Sequence, residues 1–499
     1  MSAFSRLRRR AFTLVEMLIA MALTLILVYA IAEFYAYVGS AVKDGRAMIE
    51  MNGQMRIAVS RLKADLELLT VPVVPWSDDG SAMGYFCIYE GAGKDWDINN
   101  NGLLDVTEDT DSDGTPDMQQ FNITSVHGDS DDILAFTIRS PLAPFTGQHL
   151  NVATNTYTTI SSQLAEVIWF TGFTETDSPA DGWQADEPMF LYRRQMLIRP
   201  DLGQIGGDFT TYALAQDFLR TYWQGSSVSA SIRAETNSMG NQVFRVRANS
   251  LLDLSRREHR FAHLGLPGSF PNALQLNVRD ATSLSFYTLQ GNYFGEDRVL
   301  SNLIGFDVRV FDPTAPLLGD GEASDTNNDS SDDAAGTVQP GDPGWEAAVA
   351  LNVSNATQYP ILGYGAYVDL YYGRAGYGPT LPRVQVGMSS VAISPSTFYG
   401  APQVKSQMGT DAVYDTWATS YERDGTNQDV ASEGMNPLFD EGTDGLDNDG
   451  INGVDDPGER ETSPPYPVPL RGIQVKLRLY EPGTRQVRQA TVGADFIQE

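Results

Sequence analysis

The chain is poor in the residues that build most metal centres and covalent scaffolds. Among 499 residues it has one cysteine, Cys87, and four histidines, His127, His149, His259 and His263. A lone cysteine closes no intrachain disulfide and supplies no CxxC pair, which excludes a disulfide framework, a thiolate zinc site and an iron–sulfur cluster. Basic residues are scarce as well. There are 34 Lys and Arg against 64 Asp and Glu, a net charge of −30, so no net positive field would gather a phosphate backbone and nucleic acid is not an expected partner. No GxSxG, phosphate-binding loop or dinucleotide fingerprint occurs. His259 and His263 stand four apart, but HRFAH lacks the glutamate that follows the first histidine of HExxH, so SRREHRFAH reads as a charged helical segment. Cys87, in the apolar string YFCIY, reads as a small buried hydrophobe. The expectation is a protein that is not an enzyme. Core material is ample, with 42% hydrophobic and 20% charged residues, and the length suits one large or two moderate units.

The N-terminus carries the strongest signal. Arg6, Arg8, Arg9 and Arg10 precede FTLVEMLIAMALTLILVYAIA, residues 12–32. Those residues, at about 1.5 Å each, span about 30 Å, the thickness of a bilayer core. The arginines hold their end in the cytoplasm and send the remaining chain outward. Glu16 breaks the apolar run, and a carboxylate at the membrane centre costs roughly 2.5–3.5 kcal/mol. It calls for a partner.

The segment RRRA-FTLVEMLIA resembles the signal of type IV pilins and type II secretion pseudopilins. That resemblance implies a basic leader, residues 1–11, removed by prepilin peptidase between Ala11 and Phe12, followed by N-methylation of Phe12. Alanine stands at Ala11 where the family usually has glycine. Losing four arginines takes the charge from −30 to about −34. Glu16 falls on the family's glutamate at the fifth mature position. A carboxylate in a hydrocarbon helix needs a cation, and the α-amine of Phe12 in a neighbouring subunit can supply one. Such a pair selects a single axial register, since any other leaves a charge unpaired.

No proline occurs from Glu33 to Leu69, and apolar residues recur at helical spacing: Phe34, Tyr37, Val38 and Val42, then Ile57, Leu62, Leu66 and Leu69. The reading is a spine helix from residue 12 to about 70, roughly 90 Å long. Its transmembrane and assembly half covers residues 12–38 and its amphipathic half 39–70. Gly39, Gly45 and Gly53 are points where it could bend, and Pro72 and Pro75 end it. Residues 71–499 read as a β-rich globular domain interrupted by insertions at about 93–120, 315–345 and 405–465. Strand-like runs include 133–140, 166–173, 188–199, 305–312, 367–373, 473–481 and 485–497, the last two joined by Pro-Gly-Thr. A helix on a mainly antiparallel sheet is an α+β architecture.

The strings at 128–141, 191–202, 251–263 and 470–492 resemble the minor-subunit branch called pseudopilin J or pilin W. This implies a minor structural subunit, at low copy or at the tip of a type II secretion pseudopilus or type IV pilus, aiding filament assembly and protein secretion. Its implied partners are other pilin or pseudopilin subunits, prepilin peptidase and the inner membrane. The implied location is a single pass through that membrane with the C-terminal domain on the periplasmic side, then a periplasmic or extracellular filament. The alternative is a membrane-anchored or tip-borne calcium-dependent adhesin; a periplasmic enzyme ranks third, for want of motifs.

The insertions carry the expected cofactor, Ca2+. Oxygen ligands fall at Asp97, Asn99, Asn101, Asp105 and Glu108, with Gly102 at the sharp turn and a backbone carbonyl from Leu103. That is the 1, 3, 5, 7, 9, 12 order of a calcium loop. Asp109, Asp111, Asp113, Gly114 and Asp117 repeat it, but the twelfth position is Gln120. No amphipathic helix precedes Asp97, so these read as loops without EF-hand helices. Residues 324–333 and 440–459 read first as flexible acidic insertions, with calcium the minority outcome.

Overall fold

The structure, a computed structural model, describes residues 13–75, 84–90, 130–172, 189–264, 274–276, 281–319, 337–340, 360–370, 383–386, 389–392, 413–425 and 440–496 apart from 153, 449, 457 and 483, and the single residues 345, 348, 349, 352, 372 and 428. The processing pair Ala11 and Phe12, both calcium loops from Asp97 to Asp117 and the tract 324–333 lie outside the described residues.

The chain divides into two units, Met1–Gln54 with Glu481–Gln486, and Met55–Tyr480 with Val487–Glu499. Helix α1, Leu14–Leu66, passes from the first into the second. Its 53 residues rise about 80 Å. It stays helical through Gly39, Gly45 and Gly53, where an added Cβ would meet nothing within 4 Å, so these glycines do not interrupt it. The helix stops short of residue 70 because sheet pairing captures the chain. Leu69 bridges Ile138, and the Thr70 amide donates to the Thr137 carbonyl at 3.0 Å.

The second unit is built on antiparallel strands in chain order: β1 Phe86–Tyr89, β2 Ile133–Arg139, β3 Phe145–Asn151, β4 Thr156–Ser162, β5 Leu164–Gly172, β6 Met189–Leu197, β7 Gln204–Phe209, β8 Ala230–Thr236, β9 Gln242–Ala248, β10 Arg298–Gly319, β11 Thr337–Val338, β12 Ile361–Val368, β13 Arg383–Val386, β14 Ser389–Ala392, β15 Val413–Asp415, β16 Gly472–Glu481 and β17 Gln486–Asp495. Ten form one sheet in the order β15-β1-β2-β5-β6-β10-β16-β17, with β11 and β12 also on β10. The pairings from β15 through to β16, and those of β11 and β12 on β10, are antiparallel. The architecture is α+β, as the sequence pattern implied.

Both faces of the central strands are covered, which explains why β2 and β5 read as continuous apolar runs rather than alternating ones. Cys87, Ala135 and Ile168 sit abreast and point to one face. There they meet helix α2, Tyr212–Trp223, through Leu219, Tyr222 and Trp223, and the small sheet β7-β9-β8. Thr211 caps α2 by accepting the Leu214 amide. The opposite face carries Trp169, whose indole reaches Asp65 of α1. Between Met55 and Leu66 the helix buries Met55, Ala58, Leu62 and Leu66, a stripe at three and four spacing.

SRREHRFAH does not form an α-helix. Helix α3, Leu251–Leu254, is capped by a Ser250–Asp253 box, and only the 3-10 turn Arg257–His259 follows. Arg257 and Arg260 are both drawn to the buried carboxylate of Asp415, at 3.0 and 2.7 Å.

Candidate functional site

From Leu14 to Val38 every large apolar side chain of α1 is exposed, Leu14 by 76% and Tyr37 by 74%. No charged residue lies between Glu16 and Glu33. The helix is long and apolar enough to cross a membrane. An apolar stripe of this length needs lipid or other helices against it. The threonine hydroxyl inside the run is already satisfied: Thr24 Oγ1 donates to the Ala20 carbonyl at 2.7 Å, the usual device for keeping a threonine in an apolar helix.

Glu16 has a local partner that the spacing Thr-x-x-Glu encodes. The Thr13 amide and hydroxyl donate to Glu16 Oε2 at 2.9 and 3.1 Å, and the Glu16 amide donates to Thr13 Oγ1 at 3.2 Å. This is a capping box, in which two backbone donors at the helix start are satisfied reciprocally. The carboxylate also sits near the positive end of the helix dipole. Glu16 is therefore oriented within its own chain before any neighbour arrives. The spacing Thr-x-x-Glu carries this signal in the sequence itself.

Residues 6–31 match the prokaryotic N-terminal methylation motif. That match covers the basic leader residues, the Ala11–Phe12 junction, Glu16 and most of the apolar run, and supports the pilin and pseudopilin superfamily. A motif of this kind implies processing by prepilin peptidase and assembly with other pilin-like subunits, and with the exposed helix it fits a membrane-anchored subunit. Proteins that carry it are in general structural. No curated protein and no solved structure matches the chain.

The histidines do not form a metal pair. His263 is buried, with Nε2 2.5 Å from Tyr89 Oη and Nδ1 3.0 Å from the Phe261 carbonyl. Burial and the nearby Arg257 and Arg260 push its pKa well below the ordinary range. His259 turns elsewhere and is pushed down to about 4, chiefly by burial. Among the described residues, no three His, Cys, Asp or Glu converge in a metal-sized cluster. Cys87 is fully buried, and burial next to Asp415 drives its thiol up to about 12, a thiol without nucleophilic character at neutral pH.

Buried polar groups that no local pattern announces tie the scaffold together. Glu166 accepts from Tyr85 Oη at 2.7 Å, Ser229 Oγ at 2.7 Å and the Phe261 amide at 2.9 Å. These partners lie 63 to 95 residues away, so only the folded chain reveals them.

Proposed function

We propose that this chain is a minor pilin or pseudopilin subunit, cut between Ala11 and Phe12 and N-methylated at Phe12. It serves at low copy or at the tip of a type II secretion pseudopilus or type IV pilus. The observation that carries the reading is the methylation motif lying on a helix whose apolar surface is exposed from Leu14 to Val38. In the membrane, lipid covers that surface; in a filament, neighbouring helices replace it. The Thr13–Glu16 box presents the carboxylate at the very start of the helix, where the α-amine of Phe12 from an adjacent subunit can reach it. That pairing selects one register. The large β domain, on the periplasmic side of the inner membrane, crowds a repeating lattice less at a tip than along a shaft. Calcium held by Asp97, Asn99, Asn101, the Leu103 carbonyl, Asp105 and Glu108, and by Asp109, Asp111, Asp113 and Asp117, offsets the mutual repulsion of these carboxylates.

The test is co-expression with a prepilin peptidase and mass determination of the mature N-terminus. N-methylated Phe12 is the expected result; an intact Met1, or a cut elsewhere, overturns the reading and favours an anchored binding protein.

A further inference from the structure

The junction where β1 ends and β2 begins gathers more buried acid than base. Glu90 directly follows β1 and is 3% exposed; Asp132 directly precedes β2 and is 0% exposed. Glu90 Oε2 accepts the Leu370 amide at 2.9 Å, just past β12. Asp132 Oδ2 accepts the Val308 amide of β10 at 2.6 Å. Val308 lies between Asp307 and Arg309, and Arg309 Nε is 3.0 Å from both Asp307 Oδ2 and Asp369 Oδ1. Lys476 Nζ of β16 stands 3.7 Å from Asp307 Oδ2. Asp131 acts on Asp132, and Arg478 interacts with Asp307 and Arg309. Among the described residues, Asp132, Asp369 and Asp307 act on Glu90 as like charges, and Arg309 and Lys476 lie against Asp307.

Glu90 is poorly placed to carry a negative charge. Its Oε1 is buried and has no hydrogen-bond partner, and an ionised oxygen left without a donor in a low-dielectric site is strongly disfavoured. We propose that Glu90 is held as a neutral acid at neutral pH, making the Glu90–Asp132 junction a proton-dependent fastening between β1, β10 and β12. Burial, then Asp132 and Asp369, raise the proton affinity of Glu90 well above that of an ordinary carboxyl. Asp132 is raised in the same way by burial, Asp131 and Asp307. The backbone bonds from Leu370 and Val308 oppose this without cancelling it. For an acid whose folded-state affinity is raised, the stabilisation is complete below the ordinary carboxyl range and is lost as pH rises through the folded value. The fastening is strongest in acid and weakens progressively as the pH rises from the ordinary carboxyl range to the folded value.

The test uses the full chain in detergent with a chelator present. Infrared difference spectra of wild type against Glu90→Gln at neutral pH are expected to show a protonated-carboxyl C=O band that only the wild type has. The wild-type thermal midpoint should fall as the pH rises from the ordinary carboxyl range through neutrality, and Glu90→Gln, whose amide mimics the neutral acid, should flatten that fall. Identical spectra overturn the proposal. So does a wild-type midpoint that is flat with pH but rises with added calcium and loses that rise in Glu90→Gln, because a cation would then balance the Glu90 charge. Should Glu90→Gln fail to fold, Asp307→Asn leaves Glu90 in place and removes a facing charge. The infrared titration should then move to lower pH, and an unmoved titration overturns the proposal.

Discussion

Asp65 of α1 takes three hydrogen bonds from the sheet, two from Arg193, at 2.6 and 2.7 Å, and one from the Trp169 indole at 3.0 Å. Arg193 and Trp169 are directly paired across β5 and β6. The bidentate grip fixes both the rotation of the helix and its position along the two strands, because no other helix residue at that depth carries a carboxylate.

Asp65→Ala is expected to cost about 3–5 kcal/mol, since it leaves the guanidinium of Arg193 buried without its counter-charge. Trp169→Phe should lose about 1 kcal/mol with its single indole bond. Asp65→Leu combined with Arg193→Met should be less damaging than either single change. Denaturant midpoints at constant slope check all three, and a milder effect for the single changes would mean the pair is not what holds the helix in place.

Thr13→Ala removes the cap and should destabilise the first turn of α1 by about 1 kcal/mol. Thr13→Ser keeps the hydroxyl and should behave as wild type. If the box positions Glu16 for assembly, Thr13→Ala should lower incorporation into sheared filaments in wild type and have no further effect in a Glu16→Ala background. Immunoblotting of filament and membrane fractions reads this out.

Stability should fall as pH drops from about 6.5 towards 4, the value to which His259 is depressed. Its folded form resists the proton that the unfolded chain accepts, so the loss begins at the ordinary histidine value and is complete near the folded one. His263, depressed further, adds to the same slope. His259→Gln should make the thermal midpoint less sensitive across that interval, and an unchanged slope would assign the loss to other groups.

Calcium should raise the midpoint of the full chain, by about 2.7 kcal/mol of stability at one hundred times the dissociation constant. Asp97→Ala and Glu108→Ala should remove most of the effect, and Asp113→Ala a smaller part, because the loop from Asp109 ends at Gln120. Thermal shifts with calcium and with chelator decide it.

Several elements were legible because their cause is local. The apolar run and its lack of proline give α1, and the β-branched runs at 133–139, 166–172 and 473–481 are strands. Other features depend on residues far away. The helix ends at Leu66 because Thr70 pairs with Thr137. SRREHRFAH turns at His259 because Arg257 and Arg260 share Asp415, which lies 155 residues beyond Arg260. The run 367–373 is a strand only to Val368, after which Leu370 is engaged by Glu90. The Thr13–Glu16 box was readable from its spacing. Asp65–Arg193, 128 residues apart, was not, since neither residue differs in local pattern from the other charges on its element.

Cys87 is the single cysteine and lies wholly inside the sheet with its thiol pushed up to about 12. A maleimide or thiosulfonate reagent at neutral pH would find no native target in the folded chain. A cysteine introduced on the exposed face of α1 would be the sole site to take a spin label or a fluorophore. It would also be the sole site able to crosslink to a neighbouring subunit, so the packing of one chain against the next can be mapped position by position in an otherwise unaltered protein.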